Sequence, residues 1–163
     1  MITPFITNHM RHCSSNQQTR FHVTYVESDL LYPTEELGRL HAGVDIISIT
    51  HVLHQWNWAT QILACKELVA LSKVDRLIVG YQGGTNDLEK RTQWNRENAQ
   101  PDFTLHDPVT FRRMWDVVGE ETGTKWSTEV VIVPWDELAM REDEVTYLGT
   151  DFALLRFAVA RSG

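Results

Sequence analysis

The stretch Val44-Asp45-Ile46-Ile47-Ser48-Ile49-Thr50, running on through His51-Val52-Leu53-His54-Gln55-Trp56-Asn57-Trp58, decides the fold. Its first seven residues are nearly all apolar. A short continuous apolar run with polar flanks suits a strand buried on both faces. The pattern then changes period. Over residues 59–72, Ile62, Cys65, Val69 and Ser72 recur at helical spacing, with Leu63, Leu68 and Leu71 widening the stripe. Asp75–Gly80 (DRLIVG) is a second buried-strand candidate, and it leaves through Tyr81-Gln82-Gly83-Gly84. Strand, helix, strand is the repeating unit of a parallel α/β layer.

The same reading extends in both directions. Upstream, Phe21–Val26 is rich in aromatic and β-branched residues and predicts a strand. It runs into Glu27-Ser28-Asp29-Leu30-Leu31 and stops at Pro33; Thr34 then caps a short amphipathic turn through Leu37 and Leu40 that ends near Gly43. Residues 1–20 are weakly patterned, with at most a short helix from Thr3 to Arg11. Downstream, residues 85–104 are polar and read as a long surface loop. Asp107-Pro108 is a strong helix start, with the aspartate as cap and proline at the first helical position. Phe111, Met114, Trp115 and Val118 form one face of that helix, and Gly119 or Gly123 ends it. Thr128–Val133 and Phe152–Ala160 are two further strands, separated by an acidic connector over 134–150. With no helix between them, they are expected to pair antiparallel. The fold class is therefore α/β: a mostly parallel Rossmann-like sheet that is incomplete and closes on a C-terminal antiparallel pair. The expected organisation is a poorly patterned segment 1–20 and one α/β domain over 21–163.

The bulk numbers fit one soluble domain. The chain has 163 residues, 42% apolar and 23% charged, with a net charge of −7. No basic cluster would hold phosphates, so nucleic acid is a poor partner. No apolar stretch reaches the ~18 residues that span a bilayer, and no secretory leader is evident. Cys13 and Cys65 form no CxxC pair and read as reduced thiols. A cytoplasmic protein is expected.

Four segments together resemble the class I S-adenosylmethionine-dependent methyltransferases, most of all the fungal enzymes of secondary-metabolite and meroterpenoid pathways. Tyr25–Leu31 is similar to the family's third strand and its acidic end. Val44–Ile47 with His51–Trp56 is similar to the fourth strand and the loop after it. Leu77–Gly83 resembles the fifth strand and its exit. Phe111–Trp115, followed by Val117 and Gly119–Trp126, is the most family-specific stretch. The likeness covers roughly residues 21–160.

The family begins with a strand and a glycine-rich turn where backbone amides approach the cofactor, a contact that any side chain would block. An acidic residue after the second strand then binds the ribose. Nothing before residue 21 supplies either one. The chain therefore reads as N-terminally truncated relative to the family. In the family's sheet order, the missing strands lie between the third and fourth, leaving a gap of roughly 14 Å at ~4.8 Å per strand. Direct pairing of Phe21–Val26 with Val44–Thr50, a second copy, or another partner would have to fill it.

The resemblance implies S-adenosyl-L-methionine as cofactor and a small-molecule substrate. It places Asp29 at the adenine amino group and the Leu30 amide at the ring; without it, Asp29 reads as the start of a turn before Pro33. Thr50 and His51 end a buried strand, where α/β folds receive ligands. His54, and His51 beside it, are candidate proton acceptors, and two histidines in a polar loop are the plainer reading. No third ligand accompanies them, so no metal is expected. Trp56 and Trp58 are candidate walls of a substrate pocket or packing at a helix entrance, with Tyr81 and Gln82 facing the same mouth. Two other functions fit the same residues: a cofactor-independent isomerase or cyclase, and a non-catalytic scaffold using an exposed sheet edge.

Overall fold

The computed structural model describes residues 23–97, 103–133, 137 and 149–162. Thr34 caps a single-turn helix α1 (Glu35–Gly38), which leads into β1 (Val44–Ser48). A 3₁₀ turn at Leu53–Gln55 precedes α2 (Trp58–Leu71), whose N-cap Asn57 accepts the Thr60 N–H at 3.0 Å. Then follow β2 (Ser72–Thr85), α3 (Leu88–Glu97), α4 (Pro108–Thr122), β3 (Trp126–Val133) and β4 (Phe152–Arg161). The sheet order is β1-β2-β4-β3, parallel at β1–β2 and antiparallel at the other two ladders. The expected C-terminal antiparallel pair is β3–β4.

The start of α4 is written in its sequence. Asp107 and Thr110 form a reciprocal capping box, Pro108 opens the helix, and Gly123 closes it in the left-handed conformation at φ 65°. Phe111, Met114, Trp115 and Val118 then face the sheet as the periodicity requires. They share one core with Ile62, Cys65, Leu68 and Val69 of α2 and with Ile78, Val130, Leu155, Phe157 and Val159 of the strands. Both long helices thus lie on one face of the sheet. The opposite face, carrying Val79, Tyr81, Val131, Arg156 and Ala158, floors a shallow cavity of about 400 Å³. Tyr81 is 36% and Val131 47% exposed there.

Three expectations change. Of the expected Phe21–Val26 strand, Val23–Val26 lies in no strand, Phe21 and His22 lie outside the described residues, and among the described residues β1 is an edge. Consequently β1 is not buried on both faces: Ile46 is 64% exposed because no neighbour covers its outer side. The polar stretch 85–104 contains α3, which its composition hides because tertiary pairing holds it rather than an apolar stripe. Arg91 of α3 donates from Nε to Asp151 Oδ2 at 2.8 Å and from Nη2 to Oδ1 at 3.2 Å, with both residues buried. Thr85 Oγ1 donates to the same carboxylate at 2.8 Å, and the Trp94 ring lies 4.7 Å under the guanidinium. The Thr3–Arg11 helix, Cys13 and most of the 134–150 connector lie outside the described residues.

Two packing points carry predictions. A Cβ on Gly80 would sit 1.7 Å from the Ile49 carbonyl oxygen and 3.0 Å from the Phe157 ring. Gly80→Ala is expected to lower unfolding free energy by at least about 2 kcal/mol through overpacking, read as a lower urea midpoint. Asp151→Ala strips a buried guanidinium of its carboxylate and is expected to cost about 3 kcal/mol or more. An unchanged midpoint would mean that the α3 clasp carries no stability.

Candidate functional site

The carboxyl end of β1 is stitched to β2, which runs on to Thr85, so that Tyr81-Gln82-Gly83-Gly84 is strand and not the exit expected from the sequence. The Ile49 N–H donates to the Val79 carbonyl at 2.9 Å and the His51 N–H to the Tyr81 carbonyl at 2.7 Å. Between them the chain turns sharply, and His51 sits at φ 56°. A non-glycine residue in that region costs on the order of 1 kcal/mol, and such strain gathers at functional sites. The turn folds His54 under the loop, where its ring meets His51 edge-on at 5.9 Å between centroids and Phe103 at 5.6 Å. The Gly83 N–H donates to His54 Nδ1 at 3.3 Å. Gly83 is closely packed: a Cβ there would come 3.2 Å from the His54 ring and 3.1 Å from the Phe152 ring, tighter than ordinary contact.

Proton bookkeeping follows. With Nδ1 accepting, the neutral ring carries its proton on Nε2. The Gln55 side-chain amide lies 3.1 Å from Nε2 and must present its oxygen there. Both nitrogens of His54 are therefore engaged. Burial, aided by the nearby His51, pushes its pKa down to about 4, so it is neutral near pH 7.

A second polar cluster lies beneath the loop. Gln61 of α2, fully buried, donates from Nε2 to the Trp56 and Thr104 carbonyls, both at 2.9 Å. Its Oε1 accepts the His106 Nε2–H at 3.0 Å, so every polar atom of this amide is paired. Burial likewise lowers His106 to about 4, against the opposing pull of Asp107. The His106 carbonyl accepts the Thr85 N–H at 2.8 Å, tying this cluster to the end of β2. Gln61, Phe103 and His106 escape the sequence reading. Gln61 falls in an apolar helical stripe, and His106 precedes a cap whose signal belongs to Asp107.

The candidate residues divide. The His51 and His54 rings meet just past β1, with the His51 N–H on the Tyr81 carbonyl, while Thr50 and Tyr81 line the cavity on the open face. Trp56 and Trp58 pack, half-buried, against the core, with the Trp58 ring 5.5 Å from His106. They serve the helix entrance and line no part of that cavity. Gln82 points the other way, because Tyr81 faces the cavity and strand neighbours alternate. It is 1% exposed, and neither amide atom has a partner among the described residues. Asp29 Oδ1 accepts the Leu31 N–H at 2.8 Å, the turn expected before Pro33, while Leu30 and Leu31 pack against the core.

A sheet ordered β1-β2-β4-β3, with helices following its two parallel strands, invites comparison with solved folds. An S-adenosylmethionine-dependent methyltransferase from Archaeoglobus fulgidus superposes with a TM-score of 0.51 at 14% identity, over 89% of this chain and 69% of that one. Phosphoethanolamine N-methyltransferase 2 of Haemonchus contortus, solved with S-adenosyl-L-methionine, gives 0.52 at 11% identity, over 82% and 36%. The fold is that of the class I methyltransferases. In sequence, methyltransferase adrK of Penicillium roqueforti is 30% identical over 104 residues, 62% of this chain and 36% of its own length. O-Methyltransferase phiE of a fungal species is 23% identical over 99 residues, 60% and 32%. The chain thus spans about a third of the length of these curated relatives. No family profile matches the sequence. Among the described residues, no helix is long and apolar enough to cross a membrane.

The buried histidines set a pH dependence. His54 and His106 bind protons less readily folded, with pKa values of about 4, than unfolded near 6.5. Between those values the unfolded chain holds more protons, so unfolding becomes easier as pH falls. Their contribution to urea stability is expected to be flat above pH 7 and to drop from about 6.5 toward 4, with a limiting slope of about 1.4 kcal/mol per pH unit for each histidine. His54→Gln should shallow that slope. An imidazole of His54 that titrates near 6.5 by NMR would contradict the buried neutral ring.

Proposed function

We propose that this chain carries the substrate-facing part of an S-adenosylmethionine-dependent methyltransferase acting on a small molecule, a secondary-metabolite intermediate by its fungal likeness. One observation carries the reading: His51 and His54 meet just past the carboxyl end of β1, with the His51 N–H bonded to the Tyr81 carbonyl of its parallel neighbour, in a methyltransferase fold whose sheets receive ligands past their strand ends.

The residues present suit one end of the cofactor. Asp29 keeps Oδ2 without a partner among the described residues, an acceptor suited to an adenine amino group, and Leu30 follows with a backbone amide. Thr50 and His51 would border the cofactor at the strand mouth. The glycine-rich turn that the other end requires has no counterpart in the sequence, whose first glycine is Gly38. The cofactor supplies a methyl group already activated by its sulfonium. The work left to the chain is to hold a substrate oxygen or carbon in line, exclude water and take up a proton.

Between the two histidines, His51 suits the proton better. His54 has both nitrogens engaged and is held neutral by burial. In this reading it is a positioning residue that sets the turn and gives His51 an edge to lean on. Tyr81 and Thr50 would meet the substrate.

The test is an NMR titration with S-adenosylhomocysteine up to millimolar concentration. Saturable shifts at the Leu30 and His51 amides are expected, weakened by Asp29→Ala. A folded chain whose spectrum does not move would discard methyl transfer and leave the cofactor-independent and scaffold readings.

A further inference from the structure

The flank of β2 that meets β1 is completed by unlike pieces. The Val79 and Tyr81 carbonyls accept from the Ile49 and His51 N–H groups at 2.9 and 2.7 Å. A strand turns every second residue to the same flank, so Gly83 and Thr85 come next. The Gly83 N–H donates to His54 Nδ1 at 3.3 Å, and the Thr85 N–H donates to the His106 carbonyl at 2.8 Å. An imidazole thus takes the rung that a further residue of β1 would fill, and the segment 103–106 takes the rung after it. A backbone rung is fixed by its neighbours along the strand. A side chain can leave its rung by changing rotamer, so the His54 ring has to be held there by other groups.

Two pieces of chain enclose the ring. One is its own loop, which closes at Trp56. The other is the segment 103–106, whose Phe103 ring meets His54 edge-on at 5.6 Å. Gln61 of α2 joins the two. Its Nε2 donates to the Trp56 and Thr104 carbonyls, both at 2.9 Å, and the Thr104 N–H donates to the same Trp56 carbonyl at 3.3 Å. The two carbonyls allow the amide one orientation, because turned over its oxygen would face two acceptors. That oxygen therefore faces His106 Nε2, 3.0 Å away, which carries the proton. His106 is itself fixed, its ring 5.5 Å from Trp58 and 5.9 Å from Phe111 and its carbonyl on Thr85. Gln61 is thus anchored to the core on one side and grips both walls of the His54 site on the other.

We propose that Gln61 is a positioning residue for His54: by fixing the Trp56 and Thr104 carbonyls it keeps the loop 51–56 and the segment 103–106 one imidazole apart, and so holds that ring on the Gly83 N–H and against His51. The arrangement does not depend on methyl transfer; its bearing on the proton that His51 would take up rests on that reading.

NMR of the ligand-free chain tests it, with Gln61→Met as the variant that keeps the length of the side chain and removes its amide. The Ile49 and His51 amides, bonded to β2, report a folded chain by staying protected. In the native chain the Gly83 amide is expected to be protected with them and the His54 ring to titrate near 4. In Gln61→Met the Gly83 amide is expected to exchange about tenfold faster or more relative to Ile49 and His51. The His54 titration is expected to rise toward 6.5 as water reaches the released ring. His51 is the titratable side chain in ring contact with His54, so the Cε1–H signals of both rings are followed. Gln61→Asn, a methylene too short to span both carbonyls and His106, gives the same readout should Gln61→Met fail to fold. A native Gly83 amide that exchanges freely would overturn the proposal. So would a folded variant whose urea midpoint falls while Gly83 stays protected and His54 still titrates near 4, because Gln61 would then contribute packing alone. None of these signals needs a ligand, so a native chain that ignores S-adenosylhomocysteine would discard the proposed function and leave the role of Gln61 standing.

Discussion

The approach of β1 to β2 at Gly80 is the contact on which the rest is built. The carbonyl oxygen of Ile49, the residue after β1, lies where a side chain at Gly80 would have to go. With that space free, the parallel ladder forms from Ile46 to Ser48 and the bonds continue past it through Ile49 and His51. A parallel pair cannot be closed by a hairpin, so α2 must cross over, and its handedness selects the face of the helix layer. The core follows from that choice: α4 packs beside α2, and the inward residues of β4 and β3 meet both. The same ladder fixes the site, because His51 and Tyr81 are joined across it and His54 is tied to Gly83 one step further on.

The site is held by neutral polar groups rather than by charges. His54 and His106 are both driven toward the uncharged form by burial, and each finds a neutral partner, Gly83 and Gln55 for one and Gln61 for the other. A loop built this way keeps its shape without placing a fixed charge at the strand mouth. A buried ion pair near the carboxyl end of β2, Arg91 with Asp151, sits beside Thr85 and fastens α3 to the start of β4.

Most of the fold could be read from local pattern, because pattern there agrees with packing. The Asp107–Pro108 start and Gly123 stop of α4, the extent of α2 and the two C-terminal strands all follow from spacing and caps. α3 was not legible: its ten residues carry almost no apolar stripe, and what holds Arg91 is a carboxylate 60 residues away. The reading of β1 failed for the opposite reason. Its apolar run speaks of a strand covered on both sides, yet no neighbour stands at its outer edge among the described residues. The site was half legible. Position in the strand order put His51, His54 and Tyr81 together, but the alternation that turns Gln82 away needs the register, and the Gln61–His106 pair joins elements 45 residues apart.

That failure is informative about energetics. An apolar strand such as VDIISIT gains little by lying at an open edge, where about 25 cal/mol for each Å² of apolar surface kept in water is forgone. Ile46, Tyr81 and Val131 forgo it singly on the same face, with the exposed Arg156 between Tyr81 and Val131. Gln82 faces the other side of β2. A fully buried amide without a partner costs about 1–3 kcal/mol, a burden that a neighbouring, well-paired Gln61 shows this core is able to avoid. The sheet is therefore best packed where β2 and β4 meet the helices and least resolved energetically along β1 and the face behind it.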